Sequence, residues 1–274
     1  MFFDYIHVES IMSLKRTSRT TKSACEWYAA QAWDIRRRLR SWFSNTNGFR
    51  NTLRRCNAVI SRSFALQFFD RDYYYDSDMD IYVKLGAAQY LSKWLIRDGY
   101  RPTSAGSTYH ESTVEDDMEK LLVRQIKGGP HNQMIGVYNF LKPIRIRRDK
   151  VHVNSVQLII VRNDPIRHVL FNFHSTAVIN FITHAEAVSV FPKDTFIYRT
   201  TYSLRSSTVQ KKADEKWRTK YTKRGFEIID DVSLVPSRIT EARERYVKDE
   251  ACWIMPFTGM ASYNMKNIAL TFKR

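Results

Sequence analysis

Asp78 and Asp80 stand one residue apart in Ser77-Asp78-Met79-Asp80-Ile81-Tyr82-Val83, a run that is otherwise apolar and β-prone from Met79 onward. Side chains alternate across a strand, so two aspartates at this spacing project from the same face. Carboxylates so placed can hold a divalent cation, and Mg2+ commonly takes one or two of them together with water and substrate phosphates. Upstream, Ile60-Ser61-Arg62-Ser63-Phe64-Ala65-Leu66 passes from an apolar step through a small polar turn into a predicted short helix, whose first N–H groups suit an anion. A turn for phosphate at Ser61, Arg62 and Ser63, followed by a strand carrying a cation-binding pair, is a layout for metal-assisted phosphoryl or nucleotidyl transfer. As ordinary structure, the same aspartates would form a solvated turn beside Tyr73-Tyr74-Tyr75, because Asp and Ser readily bond their own backbone in turns.

The elements that must position these residues follow from periodicity. Trp27, Ala30, Trp33, Ile35, Leu39 and Trp42 or Phe43 recur at near-helical spacing among Arg36, Arg37, Arg38 and Arg40, which predicts an amphipathic helix over 24–43. Asn45-Thr46-Asn47-Gly48 is expected to stop it, and 49–59 reads as a second helix bearing Arg50, Arg54 and Arg55. After the strand with the Asp pair, 86–97 predicts a helix with Ala87, Ala88, Leu91, Trp94 and Leu95 inward. Residues 120–127 and 133–141 alternate like strands around Gly128-Gly129-Pro130, a hairpin signal, and a further strand is expected over 151–161. Asp164-Pro165 caps the next helical region, expected to run with interruption to Thr183. Strand, helix and then several mostly antiparallel strands in this order predict a mixed-sheet α/β or α+β core, and of these the α+β fold, a mixed and largely antiparallel sheet flanked by helices, is the expectation.

The turn Ser61-Arg62-Ser63 followed by Asp78-Met79-Asp80 resembles the Gly-Ser turn and Asp-x-Asp strand of the nucleotidyltransferase (polymerase-β-like) fold. The longer string from Ile60 to Val83, with Leu66-Gln67-Phe68-Phe69-Asp70-Arg71, is similar to a group of uncharacterised fungal proteins with this core. Phe173-His174-Ser175-Thr176, Val178-Ile179-Asn180-Phe181-Ile182-Thr183, Lys220-Tyr221 through Arg224-Gly225-Phe226, and Cys252-Trp253-Ile254 extend the likeness over roughly residues 48 to 255. The resemblance implies a nucleotidyltransferase-like core, with Asp78 and Asp80 as metal-binding catalytic residues and Ser61, Arg62 and Ser63 facing the nucleotide.

Two departures bear on activity. Arg62 stands where the family's turn carries glycine, and a bulky residue neither takes positive φ cheaply nor lets phosphate approach the backbone as closely. Active members place a third carboxylate on a neighbouring strand; the matching strand here is 151–161, whose centre reads Val156-Gln157-Leu158-Ile159, and Gln157 is neutral. Asp149 and Asp164 flank that strand, and Glu115, Asp116, Asp117 and Glu119 are further candidates for the third ligand. The resemblance therefore predicts a catalytically impaired protein that binds a nucleotide or a nucleic-acid end through Mg2+ on Asp78 and Asp80. The alternatives are a non-catalytic binding module that holds nucleic acid or protein on a basic surface, and a purely structural interaction protein.

Composition bounds these readings. The 274 residues are 43% hydrophobic and 14% aromatic, enough for a real core, and 44 basic against 28 acidic side chains leave a formal charge of +16 that attracts polyanions. Cys25, Cys56 and Cys252 are few and scattered, which argues against a disulfide framework or zinc module and for a reducing compartment, cytoplasmic or nuclear. The basic, hydroxyl-rich 15–22 keeps a mitochondrial presequence open, while Asp4 and Glu9 argue against a secretory signal. No apolar run reaches the length of a membrane span.

Residues 1–23 are expected to be a flexible basic tail, 24–59 a basic helical segment packing on the core, 60–200 the core and 201–274 a basic extension. In that extension, Lys211, Lys212, Lys216, Arg218, Lys220, Lys223 and Arg224 surround Trp217 and Tyr221, which share a helix face. This predicts an amphipathic helix with a solvated basic side; the alternative is a surface whose rings stack on bases while lysines follow phosphates. His174, set among apolar residues, is expected to be a packed histidine rather than a general base. The other histidines lack metal-ligand spacing.

Overall fold

The computed structural model describes residues 2–74, 77–104, 107–108, 116, 118–119, 134–145, 151–204, 211–230, 245–261, 265 and 268–270. Its centre is a mixed nine-stranded sheet. The strands are β1 (Val59–Ser61), β2 (Met79–Lys84), β3 (Arg101–Ser104), β4 (Ser107–Thr108), β5 (Met134–Arg145), β6 (Val151–Val161), β7 (Asn180–Ile182) and β8 (Glu186–Ser189). Two strands that follow, β9 (Thr200–Tyr202) and β10 (Glu227–Ile229), form a separate parallel pair; β11 (Arg245–Tyr246) pairs with β13 (Ala269–Leu270), and β12 (Trp253–Pro256) returns to the main sheet. The spatial order is β12-β8-β7-β1-β2-β6-β5-β3-β4. Within it only β2 and β6 run parallel. The chain is thus α+β with an open, mostly antiparallel sheet, as its pattern predicts. Although β12 comes from the stretch expected to be an extension, it forms an edge of this same sheet.

The centre of the sheet is apolar on both faces. Met79, Ile81 and Val83 of β2, Leu158 to Val161 of β6 and Val59 and Ile60 of β1 are all buried, and α5 (Arg62–Asp70) covers one side with Phe64, Ala65, Leu66, Phe68 and Phe69. The helix α6 (Leu85–Arg97) turns Ala88, Leu91 and Leu95 inward at the predicted spacing. Asp164 accepts from the N–H groups of Ile166 and Arg167, capping the helix Pro165–Asn172. The predicted helical region beyond it divides, giving a short 3-10 turn at Thr176–Val178 and then β7.

The N-terminal segment, up to Asn57, differs from expectation. Residues expected to form a flexible tail are folded into α1 (Val8–Leu14) and the start of α2 (Arg19–Ala32), the latter opened by a Ser18–Thr21 capping box. Ile11, Cys25 and Tyr28 form a small satellite core, and Arg71 ties it down by donating to the carbonyls of Phe3 and Ile6 and to the Tyr28 hydroxyl. The single helix expected over 24–43 is broken, because Asp34 caps a new one, α3 (Ile35–Arg40). Trp33, at the break, donates its indole N–H to the Phe69 carbonyl, so its ring is fixed by a tertiary contact. Asn45 does not merely end a helix: its side chain accepts from the Gly48 N–H and opens α4 (Thr46–Cys56), which stops at Asn57 in the left-handed conformation.

The expected strand over 120–127 and the Gly128-Gly129-Pro130 turn lie outside the described residues, as do Glu115, Asp117 and Asp149. No described helix is long and apolar enough to cross a membrane.

Candidate functional site

Register brings the site together. In the antiparallel pair β1–β2, Ser61 lies opposite Asp80, so the turn that leaves β1 emerges beside the acidic strand. In the parallel pair β2–β6, Asp80 lies opposite Gln157. Asp78, Asp80 and Gln157 share one face: the Gln157 amide Nε2 donates to Asp78 Oδ2 at 3.2 Å, although Asp78 belongs to the loop entering the strand. The two carboxylates therefore sit together, Asp78 held by Gln157 from the loop rather than by the strand's alternation.

Asp80 is only 6% exposed, and Asp78 is half-buried. Burial raises the Asp80 carboxyl to about 6; the Arg62 guanidinium pulls it down, the neighbouring Asp78 charge pushes it up again, and Lys220 opposes that. Arg62 Nη1 lies 3.6 Å from Asp80 Oδ1. Arg62 occupies the left-handed region at φ 55°, the conformation that a glycine would adopt without a Cβ penalty. Its guanidinium lies over the rings of Tyr82 and Phe173, at 5.8 and 5.5 Å. The backbone of the turn is thus the one expected of glycine, while the side chain reaches back to the acidic pair.

Both serines of the turn are buried and bonded within the protein. Ser61 donates its hydroxyl to the Asn180 carbonyl at 2.6 Å and is fully buried, so it locks β1 to β7 and does not face a ligand. That corrects its expected place in a phosphate turn. The cause is its position as the last residue of a central strand, where its side chain meets the neighbouring strand β7. Ser63 accepts from Arg224 Nη1 at 3.2 Å and is hydrogen-bonded to Tyr221.

Arg224 joins the candidate site, and reasoning from local spacing does not place it there. It follows the helix Lys211–Thr222, and its second nitrogen donates to the Ser77 hydroxyl at 3.2 Å, while its guanidinium stacks 3.8 Å over Tyr74. The turn that presents it is built by Gly225 at φ 79° and by Arg199, which donates to the Arg224 carbonyl at 2.8 Å and to Asp70 at 2.6 Å. Lys220, one turn earlier and exposed, adds a positive charge felt by both Asp78 and Asp80. The signal for these residues in the sequence was the Lys220-Tyr221 to Arg224-Gly225-Phe226 string, which carries part of the family resemblance.

The same helix buries Trp217 and Tyr221, and Trp217 stacks on His174 at 4.5 Å. Lys216 and Lys220 on its basic side are exposed, and its rings face the core. Beneath Arg62, the Tyr82 ring packs beside His168 at 5.4 Å. Burial pushes His168 down to about 4, with Arg62 adding to the effect.

The third carboxylate is not supplied by Asp164, which is committed to capping its helix and also accepts from Asn57 at 3.4 Å. Among the described residues no group of three or more His, Cys, Asp or Glu side chains is placed to hold a metal. Comparison with protein-family models, curated proteins and solved structures finds no match to this chain.

Proposed function

We propose that the chain is a nucleotidyltransferase-like protein, catalytically impaired, that binds the phosphate-bearing part of a nucleotide or nucleic-acid end at a mouth formed by Arg62, Lys220 and Arg224. The succession β1, turn, α5, β2, with β6 parallel to β2, supports a core of that type. One observation carries the loss of reaction: Gln157 stands directly opposite Asp80 and gives its N–H to Asp78. Metal-assisted transfer is mostly positioning and charge neutralisation, and a third carboxylate would both help to hold the ion and help it to activate the attacking hydroxyl. An amide contributes neither negative charge nor a base, and its N–H occupies a carboxylate oxygen that an ion would need. Mg2+ on Asp78 and Asp80, the expectation from the sequence, also meets the Arg62 guanidinium at Asp80. This donor set does not fit a resident ion, and no chemical step is assigned to one.

The runner-up is a non-catalytic module that uses the basic helices instead, favoured by the exposure of Arg36, Arg37, Arg40, Arg54 and Arg55 on α3 and α4. Anisotropy of a 5′-triphosphate RNA oligonucleotide separates the two. Replacing Lys220 and Arg224 together by Ala is expected to weaken binding about tenfold at fixed salt, with Arg54→Ala and Arg55→Ala leaving it unchanged. The reverse pattern assigns binding to the helices. Incorporation of a nucleoside monophosphate by the unaltered protein would overturn the impaired reading.

A further inference from the structure

We infer that this site takes an oligophosphate without a divalent cation, Arg62 supplying from within the chain the positive charge that a metal ion would bring to Asp78 and Asp80. The inference rests on the binding function proposed above and adds the identity of the counter-charge.

Arg62 is built into its position. The left-handed backbone at φ 55° crowds the Cβ of a non-glycine residue, so the fold holds it there against strain. Tyr82 and Phe173 lie under its guanidinium, a placement that favours a cation by the charge distribution of the rings. From there Nη1 reaches Asp80 Oδ1 at 3.6 Å, while Gln157 satisfies Asp78 Oδ2 at 3.2 Å. Asp78 thus has a hydrogen-bond donor and Asp80 a counter-charge.

Charge balance gives the preference. Arg62, Lys220 and Arg224 against Asp78 and Asp80 leave one net positive charge, which attracts a polyanion before any ion is added. A Mg2+ ion needs close, near-octahedral oxygen ligands at about 2.0–2.1 Å. To reach Asp80 it would have to drive Arg62 off and then sit against the displaced cation. A phosphate chain has the opposite need: its oxygens accept from guanidinium groups in the bidentate geometry that arginine offers. Arg224, bonded to the hydroxyl of Ser63 next to Arg62 in the chain, brings a second guanidinium to the site.

Isothermal titration calorimetry with inorganic tripolyphosphate and, separately, ATP tests this, each in EDTA and then in excess Mg2+. The expected result is binding in EDTA at an affinity that Mg2+ does not improve. Tighter binding of ATP than of tripolyphosphate marks a nucleotide as the source of the phosphates; equal binding marks the phosphate chain itself. Arg62→Gly, which suits the left-handed backbone and is checked for folding by its melting curve, should lose at least about tenfold in EDTA. The same variant should gain an Mn2+ electron paramagnetic resonance signal that the unaltered protein lacks. Arg62→Lys keeps the charge and should retain most of the affinity. Binding that appears only with Mg2+, or an Mn2+ signal in the unaltered protein that Asp80→Asn abolishes, overturns the inference while leaving the binding function intact. Absence of binding under both conditions overturns both.

Discussion

Replacing Asp80 by Asn should stabilise the protein at neutral pH and do so much less at pH 4. Asp80 is buried, and its carboxyl titrates near 6 rather than at the ordinary 3.8. A raised carboxyl contributes full stability below the unfolded value and loses it as pH rises through the folded one. About two pKa units correspond to about 3 kcal/mol, so the ionised group burdens the fold by that amount above pH 6. Arg62 offsets part of the desolvation, but its side chain is 41% exposed and screened by water, which is why burial wins.

His168 works in the opposite direction over the same window. Lowered from 6.5 to about 4, it contributes full stability above the unfolded value and loses it as pH falls from 6.5 toward 4, by about 3 kcal/mol in all. The two slopes nearly cancel between pH 4 and 6, and single variants uncover them. Urea unfolding followed by tryptophan fluorescence at pH 4, 5, 6 and 7 measures the difference from the unaltered protein. For Asp80→Asn that difference should move in the stabilising direction as pH rises, and for His168→Phe in the destabilising direction. Differences flat with pH, or of the same sign of slope in both variants, would refute the burial argument and with it the placement of Asp80 beneath Arg62.

Arg199→Ala removes the partner of Asp70 and of the Arg224 carbonyl. It should cost about 1–2 kcal/mol in chemical denaturation and weaken tripolyphosphate binding through loss of the Arg224 turn. Trp217→Ala should cost about 3–5 kcal/mol, because the ring is core packing against His174; a small stability change with a large loss of RNA binding would restore the base-stacking alternative. Arg71→Met should release α1 and α2 from the body, so that trypsin cuts at Lys15 or Arg16 faster than in the unaltered protein while the melting of the main core changes little.

Local period made some features legible from the sequence. The run around Asp78 and Asp80 reads as a strand and its entry, 3.6-residue spacing gives the inward side of α6, and Asp164 before Pro165 reads as a helix cap because those side chains act on their own neighbourhood. The parallel alignment that sets Gln157 against Asp80 depended on a strand more than seventy residues away, and only a resemblance to a known pattern pointed there. The direction taken by the Arg62 side chain, the capture of Ser61 by Asn180, the arrival of Lys220 and Arg224 from a distant helix, and the docking of α1 through Arg71 were decided by tertiary structure. Each depends on the energy of a long-range contact, which repays chain entropy only after the sheet has brought its partners together, and no spacing in the primary structure encodes that meeting.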